Sequence, residues 1–120
     1  MKTLTMMACG VSIALLSATP AAASGRLMQA DKQTNKGEAV YAALRCSLCH
    51  SIDGKGDKKG PLDEIGTKLT AAEIREWIEK PVEMTKKHNA TRKPAMRAYP
   101  NLPKEDLDAL VTFLASKKKK

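Results

Sequence analysis

Apolar residues recur at helical spacing in the segment that follows residue 70. The sequence Thr70-Ala71-Ala72-Glu73 has the pattern of a capping box, which is typical of a helix N-terminus. Three apolar residues then fall on one face of the expected helix: Ile74, Trp77 and Ile78. Pro81 disfavours helical geometry at the residue before it, so we expect this helix to end there.

A second helical pattern closes the chain. Pro103 suits the first position of a helix, and the acidic pair Glu105 and Asp106 favours the positive end of its dipole. Four apolar residues at i, i+3, i+4 and i+7 follow on one face: Leu107, Leu110, Val111 and Leu114.

A shorter pattern lies earlier in the chain. Asn35 and Glu38 have cap spacing, and the segment 37–44 carries Val40 and Leu44 on one face before it reaches Cys46. The segment 85–102 looks irregular, and no pair of strands with a tight turn is evident. The pattern therefore predicts an all-α fold of three to four helices with long loops.

The N-terminus has the organisation of a secretory signal peptide. A positive Lys2 precedes the apolar run 4–18, and Ala21-Ala22-Ala23 offers a small-residue cleavage pattern. We expect residues 1–23 to be cleaved after export to the periplasm, with an uncleaved membrane anchor as the alternative. After cleavage no stable membrane insertion is expected, and residues 24–36 are expected to form a flexible segment.

The formal net charge of +8 points to acidic partners or an anionic surface. Nucleic acid is an unsuitable partner because the chain has neither zinc-type cysteine pairs nor interleaved aromatic residues. Residues 117–120 are all lysine and form a basic tail, which is either a solvated end or a docking element. Aromatic side chains make up only 3% of the residues, and so few large apolar side chains in a small domain favour a fold built around a large apolar cofactor.

The sequence Cys46-Ser47-Leu48-Cys49-His50 is the strongest chemical signal in the chain. A Cys-x-x-Cys-His run is typical of covalent c-type haem attachment, in which the following histidine ligates the iron. A thioredoxin-like motif would need a βαβ context, and a zinc site would need further ligands, of which only His88 remains among the histidines.

With these residues located, the chain resembles the class I (monohaem) c-type cytochromes over residues 37–114. The resemblance implies one haem c with iron, bound by Cys46 and Cys49, inside a domain that spans residues 37–116. It further implies that the first and last helices cross, where the missing side chain of Gly37 permits close approach, with Tyr41 and Phe113 as core residues.

The resemblance also implies further site residues. Gly60-Pro61-Leu62 is similar to the family's Gly-Pro-x-Leu loop, in which the carbonyl oxygen of Pro61 would accept a hydrogen bond from the second nitrogen of His50. Met96, six residues before Leu102, fits the family's sixth iron ligand; Met84 and His88 are the alternatives. Many relatives have proline directly after this methionine, whereas here Arg97 follows it.

Trp77 is interpreted as a core residue, with contact between its N–H and a haem propionate as the alternative. Iron with both His50 and Met96 has no open position, which predicts an electron carrier rather than an enzyme. Its partners would be redox proteins with acidic docking surfaces. The alternatives are an electron-accepting subunit of a periplasmic oxidoreductase of the sulfur-oxidation type, and a five-coordinate haem enzyme or gas-binding protein.

Overall fold

The computed structural model describes residues 22–120, with side chains described from Gly25 onward. Five α-helices and one short β-ribbon follow each other along this part of the chain. The elements are α1 (Ala22–Ala43), β1 (Ser51–Ile52), β2 (Lys55–Gly56), α2 (Ile65–Lys68), α3 (Ala71–Glu79), α4 (Pro81–Lys87) and α5 (Lys104–Ala115), with a single 3-10 turn at Cys46–Leu48. The predominantly helical architecture with long connections confirms the predicted fold class.

The first and last helices cross at Gly37. A Cβ atom placed on Gly37 would lie 2.5 Å from Cβ of Phe113 and closer still to the carbonyl oxygen of Ala109. Beside the crossing, the rings of Tyr41 and Phe113 pack at a centroid distance of 5.9 Å. The expected close approach of the two helices is therefore confirmed, and only glycine fits at the contact.

The apolar faces predicted for α3 and α5 form most of the core. Both isoleucines of α3 are buried, as are all four apolar residues predicted for α5. The capping box is present: the backbone N–H of Glu73 donates to Oγ1 of Thr70 at 3.2 Å, and the backbone N–H of Thr70 donates to Glu73 at 2.8 Å. Pro103 is the N-cap residue of α5 rather than its first helical residue.

The first helix begins much earlier than the sequence predicted. It starts at Ala22 instead of near Asn35, so the segment 24–36, expected to be a flexible segment, is helical here. Residues 25–32 are exposed on the surface, and this segment contains no proline to stop the helix. Residues 1–21, which hold nearly all of the predicted signal peptide, lie outside the described residues.

The prediction that no strands pair was wrong. Strands β1 and β2 form an antiparallel hairpin in which Ser51 pairs with Gly56 and Ile52 with Lys55. Asp53 and Gly54 connect them with φ values of 50° and 75°, the left-handed conformations that a two-residue hairpin turn requires. The hairpin was missed because strands of two residues have no alternating pattern, although Asp-Gly is itself a hairpin signal.

Pro81 ends one helix and begins another. α3 stops at Glu79 as predicted, and Pro81 then occupies the first turn of α4, where its missing N–H has no helical partner to lose. The irregular segment is consequently shorter than the predicted 85–102, since α4 continues to Lys87.

The basic tail is partly fixed to the domain. The carbonyl oxygen of Lys117 accepts a hydrogen bond from the backbone N–H of Gly66 at 2.8 Å, and the backbone N–H of Lys119 donates to Oγ1 of Thr67 at 2.9 Å. The Lys117 ammonium group lies 3.3 Å from Asp53 and 4.7 Å from the centroid of the Phe113 ring. The tail is therefore attached to the domain at Lys117 and Lys119, and it is not simply a solvated end.

Within residues 22–120, no helix combines the length and the apolar character that crossing a membrane requires.

Candidate cofactor site

The Cys-x-x-Cys-His segment forms a compact hydrogen-bonded loop directly after α1. Arg45 adopts a left-handed conformation with φ of 55°, which turns the chain out of the helix. The carbonyl oxygen of Cys46 then accepts hydrogen bonds from the backbone N–H groups of Cys49 at 3.1 Å and His50 at 2.9 Å. One turn of backbone thus holds both cysteines and the histidine together.

The two thiols of this loop are free and differ in exposure. Cys46 is half-buried against the core, and Cys49 is exposed. Burial raises the pKa of the Cys46 thiol to about 11. A reactive thiol needs a lowered pKa, and burial shifts the pKa of Cys46 in the opposite direction.

His50 is half-buried, and one of its ring nitrogens is engaged. Its Nδ1 lies 3.1 Å from the carbonyl oxygen of Gly60, which leaves Nε2 to bind iron. Burial lowers the pKa of the imidazole, while the Gly60 carbonyl opposes this shift. The net lowering of the pKa favours a neutral ring, in which Nδ1 can carry the proton that faces the Gly60 carbonyl oxygen.

We expected the carbonyl oxygen of Pro61 to accept a hydrogen bond from His50, and the structure places the carbonyl oxygen of the preceding residue there instead. The oxygen within hydrogen-bond distance of Nδ1 is that of Gly60, because the chain there runs beside β1. The backbone N–H of Ser51 donates to Gly60 O at 3.1 Å, and that of Leu62 donates to Ser51 O at 2.8 Å. Pro61 is exposed between these two bonds and pairs with Ser51 in a bridge.

The candidates for a second axial ligand differ in their surroundings. Met96 lies in the irregular segment before α5, half-buried against the same core cluster that Cys46 contacts. Met84 is buried within α4, beside a cavity of about 250 Å³ lined by α3 and α4. His88 is exposed at the end of α4. Of the three, Met96 alone is half-buried against the core cluster that Cys46 also contacts.

Trp77 belongs neither fully to the core nor to the surface. Its side chain is half-buried and lies outside the buried cluster to which Ile74 and Ile78 belong. The indole ring lies 5.7 Å from the His88 ring, centroid to centroid. The interpretation of Trp77 as a core residue is therefore only partly confirmed.

Two residues connect the Met96 segment to this site, and sequence reasoning missed the first of them, Arg92. The Arg92 guanidinium group donates to the carbonyl oxygen of Cys49, and the Tyr99 hydroxyl group donates to Leu44 O at 3.3 Å. The backbone N–H of Tyr99 also donates to Ile78 O at 2.9 Å. The sequence offered no local signal for Arg92, which stands in a basic pair with Lys93 and resembles an ordinary surface cation.

The donor set suits a haem better than a metal ion alone. In the described part of the chain, no group of three or more His, Cys, Asp or Glu side chains is arranged to hold a metal ion. A haem iron needs only axial ligands from the protein, because the porphyrin supplies the other four. Two free thiols, an imidazole with Nε2 available and a half-buried thioether meet the needs of that cofactor.

Comparisons with known proteins agree with this geometry. The family model described as cytochrome c matches residues 34–118. Cytochrome c oxidase subunit 2 of Alkalihalophilus pseudofirmus is 30% identical over 93 residues, which cover 70% of this chain and 25% of that protein. The chain thus spans about a quarter of the length of this curated relative. No solved structure matches the chain. Because the family model covers most of the chain, the protein belongs to the cytochrome c family, as a class I cytochrome that binds haem c covalently and transfers electrons.

Proposed function

We propose that the protein is an exported single-electron carrier in which Cys46 and Cys49 hold the haem through thioethers and His50 and Met96 ligate its iron. The observation that carries this proposal is the engaged Nδ1 of His50, 3.1 Å from Gly60 O, within a loop that also holds both thiols. A histidine fixed in this way presents Nε2 in one orientation, as a stable axial ligand must.

The bound haem supplies a centre that gains and loses one electron. The protein's own residues would keep that centre unreactive toward other molecules: with His50 and Met96 both holding the iron, no position would remain for a substrate. Met/His ligation also raises the reduction potential relative to other haem ligation. Cys49 and Leu48 are exposed, Leu48 by 70%, which places the cysteine loop at the surface and suits outer-sphere transfer to a partner.

For Trp77, contact with a haem propionate is proposed as the alternative to a core role. Its side chain is half-buried, and an indole N–H in such a position favours a hydrogen-bond acceptor. A propionate oxygen is the acceptor that the cofactor would bring.

Met96→Ala tests the ligand assignment, with Met84→Ala as the matched control. We expect the wild-type protein, purified from the periplasmic fraction with its N-terminus at Ser24, to show a weak sulfur-to-iron band at the red end of its ferric spectrum. Met96→Ala is expected to lose that band and to bind carbon monoxide in the ferrous form, because the sixth position is then open. Met84→Ala is expected to keep the band and to lose about 2–5 kcal/mol of stability through the cavity it leaves.

The opposite pattern, with the band lost only in Met84→Ala, would reassign the ligand. High-spin ferric wild-type protein would instead favour the five-coordinate enzyme or gas-binding alternative. A mature N-terminus that retains residues 1–23 would favour a membrane anchor over export and cleavage.

Acidic redox proteins are the proposed partners. Lys58 and Lys59 are exposed beside the cysteine loop, because the backbone N–H of Asp57 donates to Ser47 O at 3.1 Å. Lysines in this position attract an anionic partner and raise its association rate in a salt-dependent manner.

Replacing both Lys58 and Lys59 with glutamine is expected to slow oxidation of the ferrous protein by ferricyanide severalfold at low ionic strength, with the difference vanishing in high salt. The control is the double variant Arg26→Gln/Lys32→Gln, which removes the same charge from the exposed N-terminal part of α1. Equal slowing in both double variants would mean that net charge, rather than a docking surface, sets the rate.

A haem-bearing subunit of a larger redox complex is a second candidate. It is favoured by the match to a protein named as an oxidase subunit. Recovery of the native protein in a stable complex, with electron transfer independent of salt, would favour this candidate over the free carrier.

A further inference from the structure

The segment that carries Met96 is held to the domain at few points. Between α4 and α5, most residues from His88 to Asn101 are exposed, with Met96 and Tyr99 half-buried. The backbone N–H of Ala90 still bonds to Thr85 O at 2.9 Å, and that of Tyr99 bonds to Ile78 O at 2.9 Å. Among residues 91–98, the hydrogen bonds seen in the described structure are those that the Arg92 guanidinium group donates.

Arg92 reaches across to the histidine side of the site. Its Nη2 donates to the carbonyl oxygen of Cys49, the residue before His50, and lies 3.4 Å from Oδ2 of Asp57. The guanidinium group also packs on Gly60, where an added Cβ would lie 2.6 Å from Cζ of Arg92. Gly60 is the residue whose carbonyl oxygen faces Nδ1 of His50.

These contacts join two segments that the proposed function assigns to opposite axial ligands. One segment holds His50, and the other holds Met96 four residues after Arg92. We propose that Arg92 is a positioning residue that fixes the Met96 segment against the cysteine loop and so keeps the methionine sulfur on the iron. This inference rests on the proposed function, since it takes Met96 as the ligand.

The chemistry of arginine suits this role. A guanidinium group presents several N–H donors in a rigid plane, so one side chain can satisfy a carbonyl and a carboxylate at once. Hydrogen bonds made by a charged donor are stronger than neutral ones. Tyr99 attaches the downstream end of the segment to the domain, and Arg92 attaches its upstream end to the cysteine loop.

Arg92→Gln, compared with Lys93→Gln, tests the proposal. Lys93 is exposed and makes no ion pair with any residue from 22 to 120, so the control removes the same charge from the same segment. The measurement is the titration of the ferric holoprotein with imidazole, which competes with the methionine sulfur for iron. Loss of the Arg92 contacts is expected to tighten imidazole binding by on the order of tenfold, as befits one charge-assisted hydrogen bond. Lys93→Gln is expected to match the wild type.

Equal imidazole affinities in Arg92→Gln and Lys93→Gln would overturn the proposal. Should Arg92→Gln yield no holoprotein, the same titration of Arg92→Lys decides, because an ammonium group keeps the charge but lacks the planar fork. Imidazole binding to Arg92→Lys as weak as to the wild type would overturn the proposal, and tighter binding would support it. A wild-type protein without the sulfur-to-iron band would refute Met96 ligation itself, which distinguishes failure of the proposed function from failure of this inference.

Discussion

Replacing both Cys46 and Cys49 with alanine is expected to abolish covalent haem attachment. Each thiol can form one thioether, so either single variant keeps one covalent bond to the cofactor, and only the double variant keeps none. The pigment of the wild type and of both single variants is expected to stay with the polypeptide in acidified acetone. The double variant is expected to lose all of it, which a haem stain of the protein after denaturing electrophoresis would measure.

The single cysteine variants should differ in stability even though both keep pigment. Cys46 is half-buried against the core, whereas Cys49 is exposed. Removing the Cys46 side chain therefore loses packing as well as a thioether, and Cys46→Ala is expected to unfold at a lower denaturant concentration than Cys49→Ala. Ser47→Ala, an exposed change between the two, is the control and is expected to match the wild type. Pigment that stays with the double variant after extraction would contradict the assignment of the thioethers.

The features that could be predicted from the sequence are those that depend on residues close together along the chain. The helices α3 and α5 were predictable because their caps and apolar spacing lie within one helix each. The cysteine motif was predictable for the same reason, since Cys46, Cys49 and His50 lie in one short run. Met96 could be predicted as a ligand only from its spacing to Leu102 in a known family, because nothing in its own neighbourhood marks an iron ligand, and this assignment stays a prediction.

Several features that depend on contacts between distant segments were missed, although the family resemblance did imply the crossing of α1 and α5. Arg92 touches Cys49 across 43 residues, and no pattern around Arg92 indicates that contact. The Gly60 carbonyl was missed by one residue, because the pairing of β1 with Pro61 decides which oxygen faces His50. The ribbon and α4 were missed because two-residue strands and a seven-residue helix are too short for periodicity to register.

Gly37 shows how one packing contact outweighs local propensity. Alanine is favoured over glycine inside a helix by roughly 1 kcal/mol, so propensity alone predicts that Gly37→Ala stabilises α1. The Cβ atom would, however, lie 2.5 Å from Cβ of Phe113 and closer to the backbone of Ala109, which is fully buried. Backbone cannot move aside as the end of a flexible side chain can, so the two helices would have to separate.

We therefore expect Gly37→Ala to lower the free energy of unfolding by about 1–3 kcal/mol, the range typical of overpacked cores. The denaturant midpoint of the holoprotein measures this effect. Gly25→Ala makes the same exchange in the same helix, where nothing lies within 4 Å of the added carbon, and it is expected to leave stability unchanged or slightly raised. Separation of α1 from α5 would also shift Tyr41, whose hydroxyl group lies 3.4 Å from His50 O, so Gly37→Ala should disturb the ligand environment of the iron as well. Equal free energies of unfolding for Gly37→Ala and Gly25→Ala would show that α1 and α5 can accommodate the added carbon, and that glycine is not required at the crossing.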